Sequence, residues 1–252
     1  CRFYPVSIGD VGAWAMRFEG EKYPANFVEL IAPHRLRDLV PAEPAGDIQH
    51  EGFCWPARGG AAAFAALSAL DGLRQVLDLV PGRTLCVQAG GNVGVWPVEL
   101  AKHFARVVTF EPEASNFQCL LQNLKTRGSA NVTPIAAALG DKPGSCGLTL
   151  YATNCGAHFV DGAGDYPMQT IDGLNLDACD FLCLDIEGYE LPALRGAAAT
   201  IARFRPIIMI EDKGLSTHYG VAQGAAPEWV NATFNYRVIA TLGRDLVLAP
   251  CN

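Results

Sequence analysis

From residue 84 onward the chain repeats one pattern: a short, nearly all-apolar run, a break rich in glycine or acid, then residues at helical spacing. The apolar runs fall at 84–88, 107–110, 132–135, 180–184 and 206–210. Runs this short, with no alternating polar positions, suit strands buried on both faces. Between them Phe117, Leu120, Leu121 and Leu124 make an i, i+3, i+4, i+7 stripe, and Leu191, Leu194, Ala198 and Ile201 space another helix. Such alternation builds a mostly parallel sheet covered by helices on both sides, a three-layer α/β fold of Rossmann type. Residues 237–241 and 246–249 read as a closing pair of strands, with an antiparallel strand ending the sheet.

Upstream the pattern is absent. Residues 1–59 carry Pro5, Pro24, Pro33, Pro41, Pro44 and Pro56 among scattered aromatics. They are expected to be packed irregular structure with short helices, an extension covering the substrate side of a domain at 60–252. Ala66, Leu70, Leu73 and Leu77 predict a helix ended by Pro81-Gly82, and 144–170 reads as hairpin-like strands and loops.

The 252 residues carry a net charge of −7, so the basic footprint that nucleic acid or an anionic membrane attracts is missing. No apolar run is long enough to span a bilayer. Nine cysteines, an odd number with no CxxC pair, are expected to be reduced thiols of a cytoplasmic protein. No cluster has metal-ligand spacing, so no metal is expected, and no GxSxG turn is present.

Two constellations carry chemistry. A glycine cluster, Gly90, Gly91 and Gly94 around Asn92, follows the first strand, and Glu111 ends the second strand 21 residues after Gly90. A glycine turn admits close backbone approach, and a strand-end acid accepts hydrogen bonds from ribose hydroxyls. A dinucleotide fingerprint started at Gly90 would need glycine where Asn92 and Val95 stand, which speaks against pyrophosphate binding. The second constellation is Leu184-Asp185-Ile186-Glu187-Gly188-Tyr189-Glu190 at the end of a buried strand, the edge where open α/β sheets bind ligands. Alternation along a strand would turn Asp185 and Glu187 to one side; Glu190 suits a helix N-terminus. His158 and His218 are candidate bases because histidine titrates near neutrality. Lys213 and Arg244 read as surface charges.

These segments, with Phe110-Glu111-Pro112, Asn116-Phe117, 138–141 and 207–211, occur in the order seen in FkbM-type methyltransferases. Residues 60–250 resemble that family, especially its short members from phage-like and bacterial genomes. The resemblance implies a class I methyltransferase fold, S-adenosylmethionine as cofactor, and O-methylation of a sugar or small-metabolite hydroxyl. By position, Gly90, Gly91, Asn92 and Gly94 would line the methionine and ribose, Glu111 would bind the ribose diol, and Ala137 and Ala138 would sit beside the adenine. Asp185 and Glu187 would face the methyl group and the acceptor. Gln88 stands where the family usually has an acid that positions the cofactor's amino end; it keeps an acceptor and lacks the charge. Two other readings stay open: a degenerate methyltransferase fold acting as a binding module, and an oxidoreductase using another nucleoside cofactor.

Overall fold

The computed structural model describes residues 2–8, 11–17, 28–31, 47–56, 60–151 and 154–251. They fall in two compact units, Cys1–Ala45 and Gly46–Asn252. In the first, β1 (Arg2–Ile8), β2 (Val11–Arg17) and β3 (Val28–Ile31) form an antiparallel sheet in that order. This corrects the expectation of irregular structure. Pro5 pairs with Trp14 from the edge strand β1, where a missing N–H is tolerated. Pro24, Pro33, Pro41 and Pro44 lie outside the described residues. The units divide at 45/46 rather than at 59, because the second unit buries Phe53 and Trp55 in its own core.

The second unit opens with the hairpin β4 (Ile48–His50) and β5 (Phe53–Trp55). Next come α1 (Gly60–Ser68), α2 (Leu70–Leu77), β6 (Leu85–Ala89), α3 (Val95–Leu100), β7 (Arg106–Phe110), α4 (Ala114–Thr126) and β8 (Val132–Ile135). Short strands follow: β9 (Ala138–Leu139), β10 (Gly144–Cys146), β11 (Leu148–Thr149), β12 (Phe159–Val160) and β13 (Tyr166–Gln169). The chain closes with β14 (Phe181–Leu184), α5 (Glu190–Arg195), α6 (Ala198–Phe204), β15 (Ile207–Glu211), α7 (Ala225–Phe234), β16 (Tyr236–Leu242) and β17 (Asp245–Pro250).

The main sheet has seven strands in the order β16-β17-β15-β14-β6-β7-β8. β15, β14, β6, β7 and β8 run parallel, while β17 pairs antiparallel with both β15 and β16. Strand alternation divides the core between the two faces. Cys86, Val107, Phe181, Cys183 and Met209 pack toward Leu73, Trp96, Leu100 and Leu120. Val87, Phe110, Leu182, Leu184 and Ile208 pack toward Leu194, Ile201 and Val230. This is a class I methyltransferase fold, α/β with a mostly parallel sheet and an antiparallel closing strand. The expected helix after β14 is two, α5 and α6, split at Gly196. A Cβ on Gly196 would stand 2.0 Å from the Gly140 carbonyl, so glycine is required there, and Asp172 caps the new helix by accepting from Ala199 N (2.9 Å) and Thr200 N (2.8 Å). Among the described residues no helix is long and apolar enough to cross a membrane.

Candidate functional site

The parallel strands all end at one edge, and there a cavity of about 360 Å³ opens, within the usual range for small-molecule sites. Gly90, Gly91, Asn92, Glu111, Ala137, Ala138, His158, Asp185 and Glu187 line it; Gln88 and Gly94 do not.

The turn after β6 is built around two glycines whose side positions are already filled. A Cβ on Gly90 (φ +81°) would stand 1.9 Å from the Asp185 carbonyl, and one on Gly91 2.7 Å from Thr109 Oγ1. Packing against neighbouring strand ends therefore demands these glycines. Gly94 (φ +94°) caps α3 beneath Leu120. Gln88 is fully buried: Nε2 donates to the carbonyls of Ala89 and Gly90, both at 3.0 Å, and Oε1 accepts from Thr109. This corrects its expected place among the ligand-binding residues. Its amide fastens the turn from beneath, and a carboxylate in its place would have no N–H for either carbonyl.

Glu111 follows β7, and its two oxygens accept from the backbone of Asn92 (2.8 Å) and Glu113 (2.9 Å). Burial pushes its carboxyl up to about 7, against the lowering effect of those two N–H groups. Asn116 also lines the cavity. Its Nδ2 donates to the Cys155 carbonyl at 2.8 Å, and its buried Oδ1 has no partner.

β14 ends at Leu184, so alternation along a strand is not what brings Asp185 and Glu187 together. The chain turns instead. Glu187 and Gly188 both adopt positive φ, +56° and +98°, a conformation costing a non-glycine residue on the order of 1 kcal/mol. Glu190 Oε1 holds the turn, accepting from Ile186 N (3.0 Å) and Gly188 N (3.3 Å). That agrees with its reading as a helix N-terminal acid. The Asp185, Glu187 and Glu211 carboxylates offer oxygens within 4.8 Å of one another. Lys213 Nζ bridges Glu187 (2.8 Å) and Glu211 (2.6 Å), leaving Asp185 unbridged. Burial first, then the charges of Glu211 and Glu187, hold the Asp185 carboxyl well above the usual range. Asp245 is pushed up to about 6, chiefly by burial.

Lys213 thus lines the cavity as a largely covered ion-pair partner instead of standing as a plain surface charge, while Arg244 is exposed, as expected, and also borders the cavity. In sequence each lies beside an acid at a strand terminus, Glu211 ending β15 before Lys213 and Asp245 opening β17 after Arg244. That signal becomes readable once β15 and β17 are known to be neighbours.

His158 precedes β12 and faces the cavity from a small two-stranded sheet, β11–β12. Its Nδ1 accepts from Tyr151 N at 3.1 Å, and burial lowers its pKa. The neutral ring then carries its proton on Nε2, which makes it a donor toward the cavity and a poor base. His218 packs edge-on to Phe159 at 5.3 Å, outside the lining.

Residues 88–237, more than half of the chain, match the Methyltransferase FkbM domain. No curated protein matches. Among solved structures, methyltransferase FkbM from Methylobacillus flagellatus KT is 20% identical with a TM-score of 0.46. That match covers 66% of this chain and 43% of the other, so the chain spans less than half of that protein's length. Ribosomal protein L11 methylase from Lactobacillus delbrueckii subsp. bulgaricus is 10% identical (TM-score 0.45, 83% of each chain). Precorrin 8w decarboxylase from Methanobacterium thermoautotrophicum is 17% identical (TM-score 0.44, 71% of this chain and 90% of that one).

Proposed function

The chain belongs to the FkbM methyltransferase family, and from that premise we propose that it methylates a hydroxyl oxygen of a sugar or other small metabolite, using S-adenosylmethionine. The observation that carries the cofactor reading is the pairing of the Gly90–Gly91 turn with the Glu111 carboxylate at one cavity wall.

The residues present fit that cofactor. Each Glu111 oxygen spends one acceptor site on a backbone N–H, which leaves lone pairs for a ribose diol. Ala137, Ala138 and Phe110 offer small and flat apolar surface for a base, and the orphaned Oδ1 of Asn116 is an acceptor beside them. Asp185, Glu187 and Glu211 outnumber Lys213 and favour a cation. Gln88 does not mark decay, because its amide is spent holding the turn.

Bound there, S-adenosylmethionine supplies an electrophilic methyl group on a positively charged sulfur. The protein's part is to orient the acceptor oxygen and remove its proton. Asp185, the carboxyl not bridged by Lys213, accepts that proton. Lys213 fixes Glu187 and Glu211, and His158, which also lines the cavity, offers its Nε2–H as a donor for the acceptor.

Thermal unfolding tests the cofactor. S-adenosylmethionine and S-adenosylhomocysteine should each raise the midpoint, by about 2.7 kcal/mol of stabilisation at a hundredfold excess over Kd, while NAD leaves it in place. A shift with NAD alone overturns the reading in favour of an oxidoreductase. Transfer of a labelled methyl group to sugars and small alcohols then tests the acceptor class.

A further inference from the structure

A second cluster of ligand atoms lies outside the cleft, where the β4–β5 hairpin meets α4. Cys54 Sγ on β5 lies 3.3 Å from Cys119 Sγ on α4 and 3.6 Å from Asp47 Oδ2. The three donor atoms all lie within 4.8 Å of one another, and none of these residues lines the cavity. We propose that Asp47, Cys54 and Cys119 form a site for a thiophilic divalent cation of the zinc class, fastening the hairpin to α4.

Tetrahedral zinc with metal–sulfur bonds near 2.3 Å and metal–oxygen bonds near 2.0–2.2 Å sets sulfurs about 3.8 Å apart and sulfur to oxygen about 3.5 Å. The Cys54–Asp47 distance already agrees, and the sulfurs need to separate by about half an ångström. A disulfide would require the opposite movement, roughly 1.2 Å of approach, and an oxidant.

The frame is rigid. Cys54 N donates to Asn123 Oδ1 at 2.7 Å, and Asn123 Nδ2 returns to the Cys54 carbonyl at 2.9 Å and to Val93 O at 2.8 Å. Both cysteines are buried, whereas Asp47 is exposed, giving an entry path and a fourth position for water. Binding balances as one divalent cation taken up and two thiol protons released to solvent. The site binds through atoms 65 residues apart, beyond the reach of any local ligand spacing.

The test titrates the metal-free full chain with Co2+, then with Zn2+. The expected result is one tight cobalt ion with sulfur-to-metal charge transfer and the visible bands of a four-coordinate site, both displaced by zinc. About two protons should leave per ion. Cys54→Ala and Cys119→Ala should each abolish the sulfur band. Asp47→Asn, an exposed change, should weaken binding on the order of tenfold or more, the scale on which groups around a metal act. A six-coordinate spectrum without sulfur bands, or bands unchanged in the cysteine variants, overturns the site. So does an intact mass two hydrogens light with no metal uptake, which would mean a disulfide. Should the cysteine variants fail to fold, the wild-type spectrum and Asp47→Asn still decide.

Discussion

Asp185 sits in an environment that opposes its own ionisation: it is partly buried at the cavity wall, and Glu187 and Glu211 present oxygens within 4.8 Å. A residue kept so is costly to the fold and useful to a reaction that removes a proton. Asp185→Asn should therefore leave the unfolding midpoint unchanged or raised and keep S-adenosylhomocysteine affinity within a few-fold. It should lower methyl transfer by about 10²–10⁴-fold, the range for a general base. Wild-type turnover would move the role to Glu187, and a fall in the midpoint would make Asp185 structural. Glu111 should behave differently. Glu111→Ala strands the N–H groups of Asn92 and Glu113, so stability drops by about 1–3 kcal/mol per group. S-adenosylhomocysteine binding, followed by calorimetry, should weaken at least tenfold, as expected for losing charge-assisted acceptors. Both residues were legible in the sequence because each ends an apolar strand. Lys213 was not, since its meaning depends on two carboxylates brought to it by the fold.

Among the elements, strand identity was the most legible feature, because the central parallel strands β6, β14 and β15, buried on both faces, leave apolar runs with no other use. Breaks were less so. The helix pattern after β14 continues through Gly196 in sequence, and its break shows only in the fold. There Asp172 N donates to the Gly196 carbonyl, and the Asp172 carboxylate accepts from Ala199 N and Thr200 N at the start of α6. The glycines after β6 were noticed for a ligand's approach, yet the structure needs them for its own packing. A substitution series separates the two. Gly90→Ala adds a left-handed alanine, on the order of 1–2 kcal/mol, and forces Cβ to within 1.9 Å of the Asp185 carbonyl, which is backbone and cannot rotate aside. Gly94→Ala carries similar strain, but its nearest neighbour is the flexible Leu120 side chain at 2.7 Å. Denaturant unfolding should show Gly90→Ala losing more than about 3 kcal/mol and Gly94→Ala about 1–2. Equal losses would mean that the turn, and not its seating against β14, sets the requirement.

At the scale of the whole molecule, the carboxyl edge of the sheet brings Glu211 at the end of β15 beside Asp185 and Glu187 after β14, an approach that could not be read before the strand order was known. Burial of acids near this edge governs how stability varies with pH. Burial pushes Glu111 and Glu190 from an ordinary 4.5 up to about 7. Between those values the folded protein holds more protons than the unfolded chain, so stability falls as pH rises from about 4.5 to about 7 and levels off above. At about 1.4 kcal/mol per unit, each group accounts for on the order of 3 kcal/mol at most. Glu99 works in reverse: the Arg74 hydrogen bond lowers it to about 2, so its contribution is present above 4.5 and is lost on acidification toward 2. The ligand-free protein should be most stable near pH 5. Glu190→Gln keeps an oxygen for the N–H groups of Ile186 and Gly188 and removes the charge, so it should flatten the decline without touching the cavity. Urea unfolding across this range, for wild type and Glu190→Gln, supplies the comparison. A wild-type stability that climbs between pH 5 and 7, or a variant that declines as steeply, would show that these acids ionise as freely in the fold as outside it.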